Sequence, residues 1–360
     1  MTMAGEPFAV HLADMVLPFR CVDAGTIPGA SAAAEFERAW PSYRRWFLHE
    51  GEEARPSYAD SRAALARYMP ELLGDFDALV EVVGGGDLES RFLSQWCPPA
   101  LVAACSLAML PGPRPTMLRN YDYPPALSDT LALRTHWSGR SILGMSDCGW
   151  GLMDGINDQG LTVSLAFGGR RVAGQGFGIG LVMRYLLQTC TTTAEAIARL
   201  AAVPVHMAYN FAVLDAWGDA RIAQVGPDRP LHVTGERSAA NRQGDTTWPE
   251  HAAYCNTVAR EEALVPLVAN GALAPEELAE AFLAPPLYRS PSESLWGTVY
   301  TASYAPQQGT LTLLWPGDHW MLSVHGDVTG EHPREVTALV PDGVEVEVTV
   351  PQPERMLFLV

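Results

Sequence analysis

No lysine occurs in this 360-residue chain; all 24 basic residues are arginine. That absence removes the mechanisms that need an ε-amine: a pyridoxal Schiff base, a Ser-Lys dyad and a phosphate-binding P-loop. Positive charge is scarce altogether, 24 arginines against 41 acidic residues for a formal charge of −17, which opposes binding to nucleic acid or to anionic membranes. The six cysteines (Cys21, Cys97, Cys105, Cys148, Cys190, Cys255) contain no C-x-x-C pair, so neither a zinc ribbon nor a thioredoxin-type motif is present. His319, His325 and His332 form no H-E-x-x-H pattern, and no metal site is expected. The glycines from Gly168 to Gly180 fit a dinucleotide loop only loosely, and no cofactor is expected. Glu6, His11 and Asp14 interrupt the first apolar run, and no later stretch reaches the roughly 18 apolar residues of a membrane span. The expectation is a cytoplasmic protein with reduced cysteines.

What is there is enough apolar sequence, 48%, for a substantial core. Helical spacing marks Tyr58–Tyr68, Glu71–Val83 and Asp87–Trp96, the last stopped by Cys97-Pro98-Pro99. From Cys105 the texture changes to short β-like runs: Cys105–Leu110, Thr116–Tyr121, Thr130–Thr135, Leu161–Phe167, Asn210–Asp215, Thr298–Tyr304, Thr310–Trp315 and Trp320–Val324. Helices are expected at Gly180–Gln188, Ala194–Ala202, Pro249–Val268 and Pro275–Phe282. Blocks of strands flanked by blocks of helices predict an α+β layered fold with an α-rich leading segment.

Chemistry concentrates on one hairpin. Cys105–Leu110 and Thr116–Tyr123 flank the turn Pro111-Gly112-Pro113-Arg114-Pro115, which places residue 105 opposite residue 121. Arg119 and Asp122 then lie beside Cys105 at one sheet edge, a thiol with a guanidinium that favours its ionised form. No histidine is close in sequence; His136, His206 and His251 are the distant candidates for a Cys-His pair. A chain cut before Cys105 would supply a different base, the freed α-amine, whose ordinary pKa is about 7.7–8.0. Gly144-Met145-Ser146-Asp147-Cys148 approaches a nucleophile elbow but lacks its final glycine. Asn157, before Asp158-Gln159-Gly160, reads as a hairpin turn.

The run from Cys105 through Arg119-Asn120-Tyr121-Asp122-Tyr123, followed by Trp150 to Leu165, resembles the acyl-CoA:isopenicillin-N acyltransferase-like family of autoproteolytic cysteine peptidases. More remotely it resembles choloylglycine hydrolases and acid ceramidase. Pro204 to Asn210, Asn241-Arg242-Gln243 ahead of Trp248-Pro249-Glu250-His251, and Gly297 to Thr301 leading to Trp315-Pro316-Gly317 extend the resemblance over most of the chain.

The resemblance implies an αββα sandwich of the N-terminal-nucleophile type, made as a precursor and cut at Ala104-Cys105. Residues 1–104 would form an α-chain and 105–360 a catalytic β-chain, together a heterodimer that could assemble further into homo-oligomers. Cys105 would be the nucleophile, Arg119 and Asp122 would orient it and its amine, and Asn241 would donate to the oxyanion. Phe167 (through its backbone N–H), Arg289, Tyr121 and His206 are further candidates for substrate or oxyanion contacts. Ala104 stands where the family commonly has glycine, and its methyl group would slow the strained conformation that assists an N-to-S acyl shift. The implied activity is hydrolysis or transfer of the acyl group of a linear amide or N-acyl small molecule, with acyl-CoA as an alternative donor. The competing expectation is an uncleaved, non-catalytic member that binds an acyl or peptide-like ligand.

Overall fold

The computed structural model describes residues 10–269, 273–326 and 329–341. Strand β1 (Val10–Asp23) precedes helices α1 (Ala30–Phe47), α2 (Tyr58–Tyr68), α3 (Leu73–Val82) and α4 (Asp87–Leu93). Six strands follow: β2 (Ala104–Leu110), β3 (Thr116–Asp122), β4 (Leu131–Thr135), β5 (Ile142–Asp147), β6 (Gly151–Asn157) and β7 (Thr162–Phe167). Helices α5 (Ile179–Thr189) and α6 (Thr193–Ala202) lead to β8 (Tyr209–Leu214), β9 (Ala220–Gly226), β10 (Arg229–Thr234) and the two-residue β11 (Ser238–Ala239). The chain then runs through α7 (Pro249–Tyr254), α8 (Thr257–Ala269) and α9 (Pro275–Phe282). It closes with β12 (Thr298–Ala305), β13 (Thr310–Trp315), β14 (Asp318–Ser323) and β15 (Gly330–Pro341).

The strands make two sheets, ordered β10-β9-β8-β7-β6-β5-β4-β1-β15 and β11-β2-β3-β12-β13-β14. Strand alternation sorts their side chains into layers. Cys105, Leu107 and Met109 of β2 and Met117 and Tyr121 of β3 enter the core between the sheets, with Leu143, Ile156 and Leu313. Ala108, Leu110 and Leu118 face the other way, onto Leu264 and Val268 of α8 and Leu278 and Phe282 of α9. The larger sheet carries α1 to α6 on its outer face, where Phe36, Leu65, Leu79, Val182 and Leu186 pack over Leu152, Val163 and Phe211. The result is the expected four-layer αββα sandwich. Close approach of α5 to β6 is permitted by two glycines: a Cβ on Gly151 would sit 3.1 Å from Gly180, and one on Gly180 3.2 Å from Gly151.

Three sequence expectations need correction. The α-rich leading segment also contains β1, which pairs antiparallel with β15 and parallel with β4. Met15, Leu17, Phe19 and Cys21 alternate into the core, a period-two pattern with Val16, Pro18 and Arg20 on the other face. The helix expected over Pro249–Val268 is broken: Asn256 has φ +52° between α7 and α8, a left-handed step that ends one helix and re-aims the next. The hairpin of β2 and β3 lies at a sheet edge only at the Cys105 end of β2, because β12 pairs along β3, with Tyr300 opposite Tyr121, and the two-residue β11 covers β2 at Leu107 and Ala108.

Candidate active site

Cys105 sits directly opposite Tyr121, and Ala104 opposite Asp122, the register the turn predicts. Arg119 and Asp122 are three residues apart on one strand, so they leave it on opposite faces. Only Arg119 reaches the thiol: its Nη2 donates to Cys105 Sγ at 3.3 Å. Its Nη1 donates to Asp154 on β6 of the other sheet and to the Tyr300 hydroxyl at 3.0 Å. Tyr300 and Tyr304 both donate to the same carboxylate. Arg119 is thereby held by groups from both sheets, and its position against the sulfur follows from theirs.

Asp122 lies on the helix-facing side with the backbone of residues 104 and 105. Its Oδ1 accepts from the Thr298 hydroxyl at 2.8 Å, while Oδ2 is buried without a hydrogen-bond partner. Arg260 of α8 approaches that oxygen to 4.0 Å. It also donates to the Cys105 carbonyl, to Ser106 Oγ at 3.0 Å, to Asn241 Oδ1 at 2.7 Å and, through Nε, to the Cys255 carbonyl at 2.8 Å. Burial pushes the Asp122 carboxyl above its ordinary range, opposed by the charges of Arg260 and Arg289. The sequence offered no signal for Arg260, because the helix break at Asn256 is what aims it.

Asn241 binds both chemical faces of the peptide chain around Cys105. Its Oδ1 accepts the Cys105 N–H at 3.0 Å, and its Nδ2 donates to the Ala103 and Phe167 carbonyls at 3.1 and 3.0 Å. Two donors on one end and two acceptors on the other fix the amide orientation. Phe167 thus contributes its carbonyl here, and its ring packs edge-on against His251.

The remaining candidates are engaged by other groups. Tyr121 stacks beneath the Arg119 guanidinium, 4.6 Å from its centroid, and donates to Asp147 at 3.1 Å. The guanidinium of Arg289 donates to the Tyr254 carbonyl and to Ser294 Oγ. His206 lines a cavity with Trp46, Leu101, Cys148 and Tyr209, its Nδ1 2.6 Å from the Gly174 carbonyl. Ser146 lies within β5 and donates to the Gly151 carbonyl, a geometry unlike a strand-to-helix elbow. Asn157 does make the expected turn, its Oδ1 accepting from the N–H groups of residues 159 and 161.

None of the distant histidines is hydrogen-bonded to Cys105. His136 Nδ1 lies 2.7 Å from Ser141 Oγ, and His251 Nε2 lies 3.3 Å from the sulfur of Cys255, not Cys105. Burial pushes the His251 imidazole down to about 4, aided by the charges of Arg260 and Arg289, and burial pushes the Cys255 thiol up to about 12. That pair is therefore neutral. Since the folded-state pKa of His251 lies below its unfolded value, its contribution to stability is full above pH 6.5 and is lost as pH falls toward 4. Denaturant titrations of wild type and His251→Gln should differ in their pH 6.5-to-4 stability loss by on the order of 2–3 kcal/mol, the wild type losing more.

Burial likewise raises the Cys105 thiol above its ordinary value, opposed by Arg119. All six cysteines are free. Among the described residues no cluster of His, Cys, Asp or Glu is placed to hold a metal ion, and no helix is long and apolar enough to cross a membrane.

A family model described as acyl-coenzyme A:6-aminopenicillanic acid acyl-transferase matches residues 111–320, a span that starts just after Cys105 and includes Arg119, Asp122, Asn241, Arg260 and Arg289. No curated protein sequence matches the chain. Among solved structures the chain is similar to a conjugated bile acid hydrolase variant from Clostridium perfringens (11% identity, 63% of this chain and 96% of that one, TM-score 0.44). It is also similar to penicillin V acylase from Agrobacterium tumefaciens (13%, 61% and 86%, 0.40). A third is a Caenorhabditis elegans ortholog of N-acylethanolamine-hydrolyzing acid amidase (14%, 57% and 93%, 0.42).

Proposed function

Because the chain belongs to the acyl-coenzyme A:6-aminopenicillanic acid acyl-transferase family, we propose that it is a self-cleaving cysteine amidohydrolase or acyltransferase with Cys105 as nucleophile. The observation that carries this reading is the division of labour around one residue. Arg119 holds the Cys105 sulfur, while Asn241 and Arg260 hold its N–H and carbonyl.

The Cys105 sulfur first attacks the Ala104 carbonyl carbon, the peptide C–N bond breaks as its nitrogen takes the thiol proton, and water hydrolyses the resulting thioester. Ala104 becomes a carboxyl terminus and Cys105 an amino terminus. Ala104 is not among the residues with positive φ, so its methyl group carries no left-handed strain in this strand. The α-chain stays attached after the cut because β1 lies inside the larger sheet between β4 and β15. Release of Ala103 frees Asn241 Nδ2, which now donates to that residue's carbonyl, to serve a developing oxyanion. Asp122 Oδ2, orphaned in the uncut chain, gains the new amine as a donor.

In turnover the freed amine accepts the thiol proton, and the thiolate adds to the carbonyl of a linear amide or N-acyl small molecule. The tetrahedral intermediate expels the amine, which takes the proton, and the acyl-thioester is resolved by water or by an acceptor amine. Hydrolysis is the favoured outcome over acyl-CoA chemistry, since the acidic, lysine-free chain offers an anionic carrier little attraction.

Intact-mass measurement tests this directly. Two chains ending and starting at Ala104 and Cys105, with an electrophilic acyl probe bound to Cys105, are expected. An uncut chain that turns over substrate at full rate would overturn the mechanism, and an uncut chain that takes no label would indicate a binding protein. Asn241→Ala should lower kcat by about 10²–10³-fold with a smaller change in KM, read by steady-state kinetics on the fraction that has been cut.

A further inference from the structure

A cleft whose walls include Ser42, Tyr43, Trp46, Tyr123, Asp129 and Asp147 is linked to Cys105 through Tyr121, which lies opposite it and donates to Asp147. The scheme above leaves the cleft unused. Its two carboxylates, which only accept, lie among the hydroxyls of Ser42, Tyr43 and Tyr123 and a largely apolar wall. The Tyr43 hydroxyl lies between two carboxylates, 2.5 Å from Asp129 Oδ2 and hydrogen-bonded to Asp147 Oδ1. One hydroxyl has one proton; Asp147 also accepts from the Cys148 N–H at 2.9 Å and the Tyr121 hydroxyl at 3.1 Å, so it is Asp129 Oδ2 that depends on Tyr43.

The nearby cations are already committed. Arg20 is paired with Glu35 at 2.5 Å and reaches Asp129 only through its main-chain carbonyl at 3.5 Å. Arg119 is paired with Asp154. Arg38 shares Glu35 with Arg20 at 3.3 Å, and neither Arg20 nor Arg119 is ion-paired with the side chain of Asp129 or Asp147. Burial raises the pKa of both Asp129 and Asp147, and for Asp129 the charge of Asp147 adds to it. A separate observation points the same way: Ser42 is buried, lines this cleft and has a hydroxyl oxygen without a hydrogen-bond partner.

We propose that this cleft is a substrate subsite for an ammonium group, an assignment that rests on the acyl-enzyme reading above and names the class of amide it acts on. An ammonium presents three N–H donors and no acceptor, which matches Asp129, Asp147 and Ser42 Oγ. The rings of Tyr43, Trp46 and Tyr123 supply faces that attract a cation. A neutral alkyl group would pack on those rings and leave the two carboxylates without a paired cation and Ser42 without a hydrogen-bond partner.

The cleft is coupled to the nucleophile through shared residues. Tyr121, opposite Cys105, donates to Asp147 and stacks on Tyr123 with centroids 5.4 Å apart. Leu101, just upstream of the scissile bond, completes the wall. The ammonium is carried either on the acyl group or on the leaving amine.

Two isosteric pairs separate these sources: 4-aminobutanoyl anilide against pentanoyl anilide, and the pentanoyl amide of 1,3-diaminopropane against that of butylamine. In one pair the ammonium member should have a kcat/KM at least roughly tenfold higher, and Asp129→Asn or Ser42→Ala should bring that ratio toward unity. Equal or faster turnover of the neutral member in both pairs overturns the subsite while leaving the acyl-enzyme reading intact. If none of the four is turned over, binding decides. Calorimetry on the full-length protein should show 2-phenylethylammonium binding at least roughly tenfold tighter than 2-phenylethanol, and equal affinity overturns the proposal.

Discussion

Cys105→Ala protein is expected to remain a single chain of 39.0 kDa and to lose turnover by on the order of 10⁵-fold or more. The substitution removes the sulfur that the proposed mechanism uses to open the Ala104-Cys105 bond, and with it the amine that would act as base in every later cycle. Cys105→Ser separates the two losses: a hydroxyl can make the same shift through oxygen, so slow cutting is expected, followed by weak activity. The rival thiol is Cys255, which has a histidine nitrogen 3.3 Å from its sulfur. Proton transfer between them is opposed by burial, which holds the thiol near 12 and the imidazole near 4. Cys255→Ala should therefore still cut itself and take acyl label. Retention of labelling in Cys105→Ala together with its loss in Cys255→Ala would reverse the assignment.

The sequence made the hairpin legible because its information is local. A Pro/Gly turn between two apolar runs is enough to set Cys105 opposite Tyr121. The same alternation that makes register readable also separates Arg119 from Asp122, so the thiol meets one and the backbone side of the strand the other. That distinction follows from their three-residue spacing. Strand β1 also had a readable pattern in Met15, Leu17, Phe19 and Cys21, but its partners β4 and β15 lie far along the chain. β5 and β6 were hard to read as strands because Gly144, Gly151 and Gly155 dilute their β propensity. Those glycines are set by packing: a Cβ on Gly144 would meet the Asp154 carbonyl oxygen at 2.3 Å. Asp154 illustrates the limit of motif reading. It lay inside the run that carried the family resemblance, yet its ion pair with Arg119 exists only because two sheets stack face to face.

Arg260 is the clearest case of a residue invisible to local reading, and replacing it carries the second large effect. Arg260→Met removes donors to the Cys105 carbonyl, Ser106, Asn241 and the Cys255 carbonyl, together with the guanidinium 4.0 Å from Asp122. All of these acceptors lie in the buried interior, so the loss leaves buried oxygens short of a donor and an Asp122 carboxylate with Arg289 and, more weakly, Arg119 as its remaining counter-charges. Breaking a buried ionic network of this kind costs about 3–5 kcal/mol, to be read by denaturant unfolding of the uncut chain. Self-cleavage should slow by roughly 10²-fold or more as Asn241 and the Cys105 carbonyl lose their alignment. Arg260→Lys distinguishes positioning from charge. An ammonium keeps the positive charge beside Asp122 but cannot span the planar spread of acceptors that the guanidinium reaches. Its stability should recover most of the loss while cleavage, followed by intact mass over time, stays slow. Cleavage that recovers in step with stability would mean that Arg260 serves the fold alone.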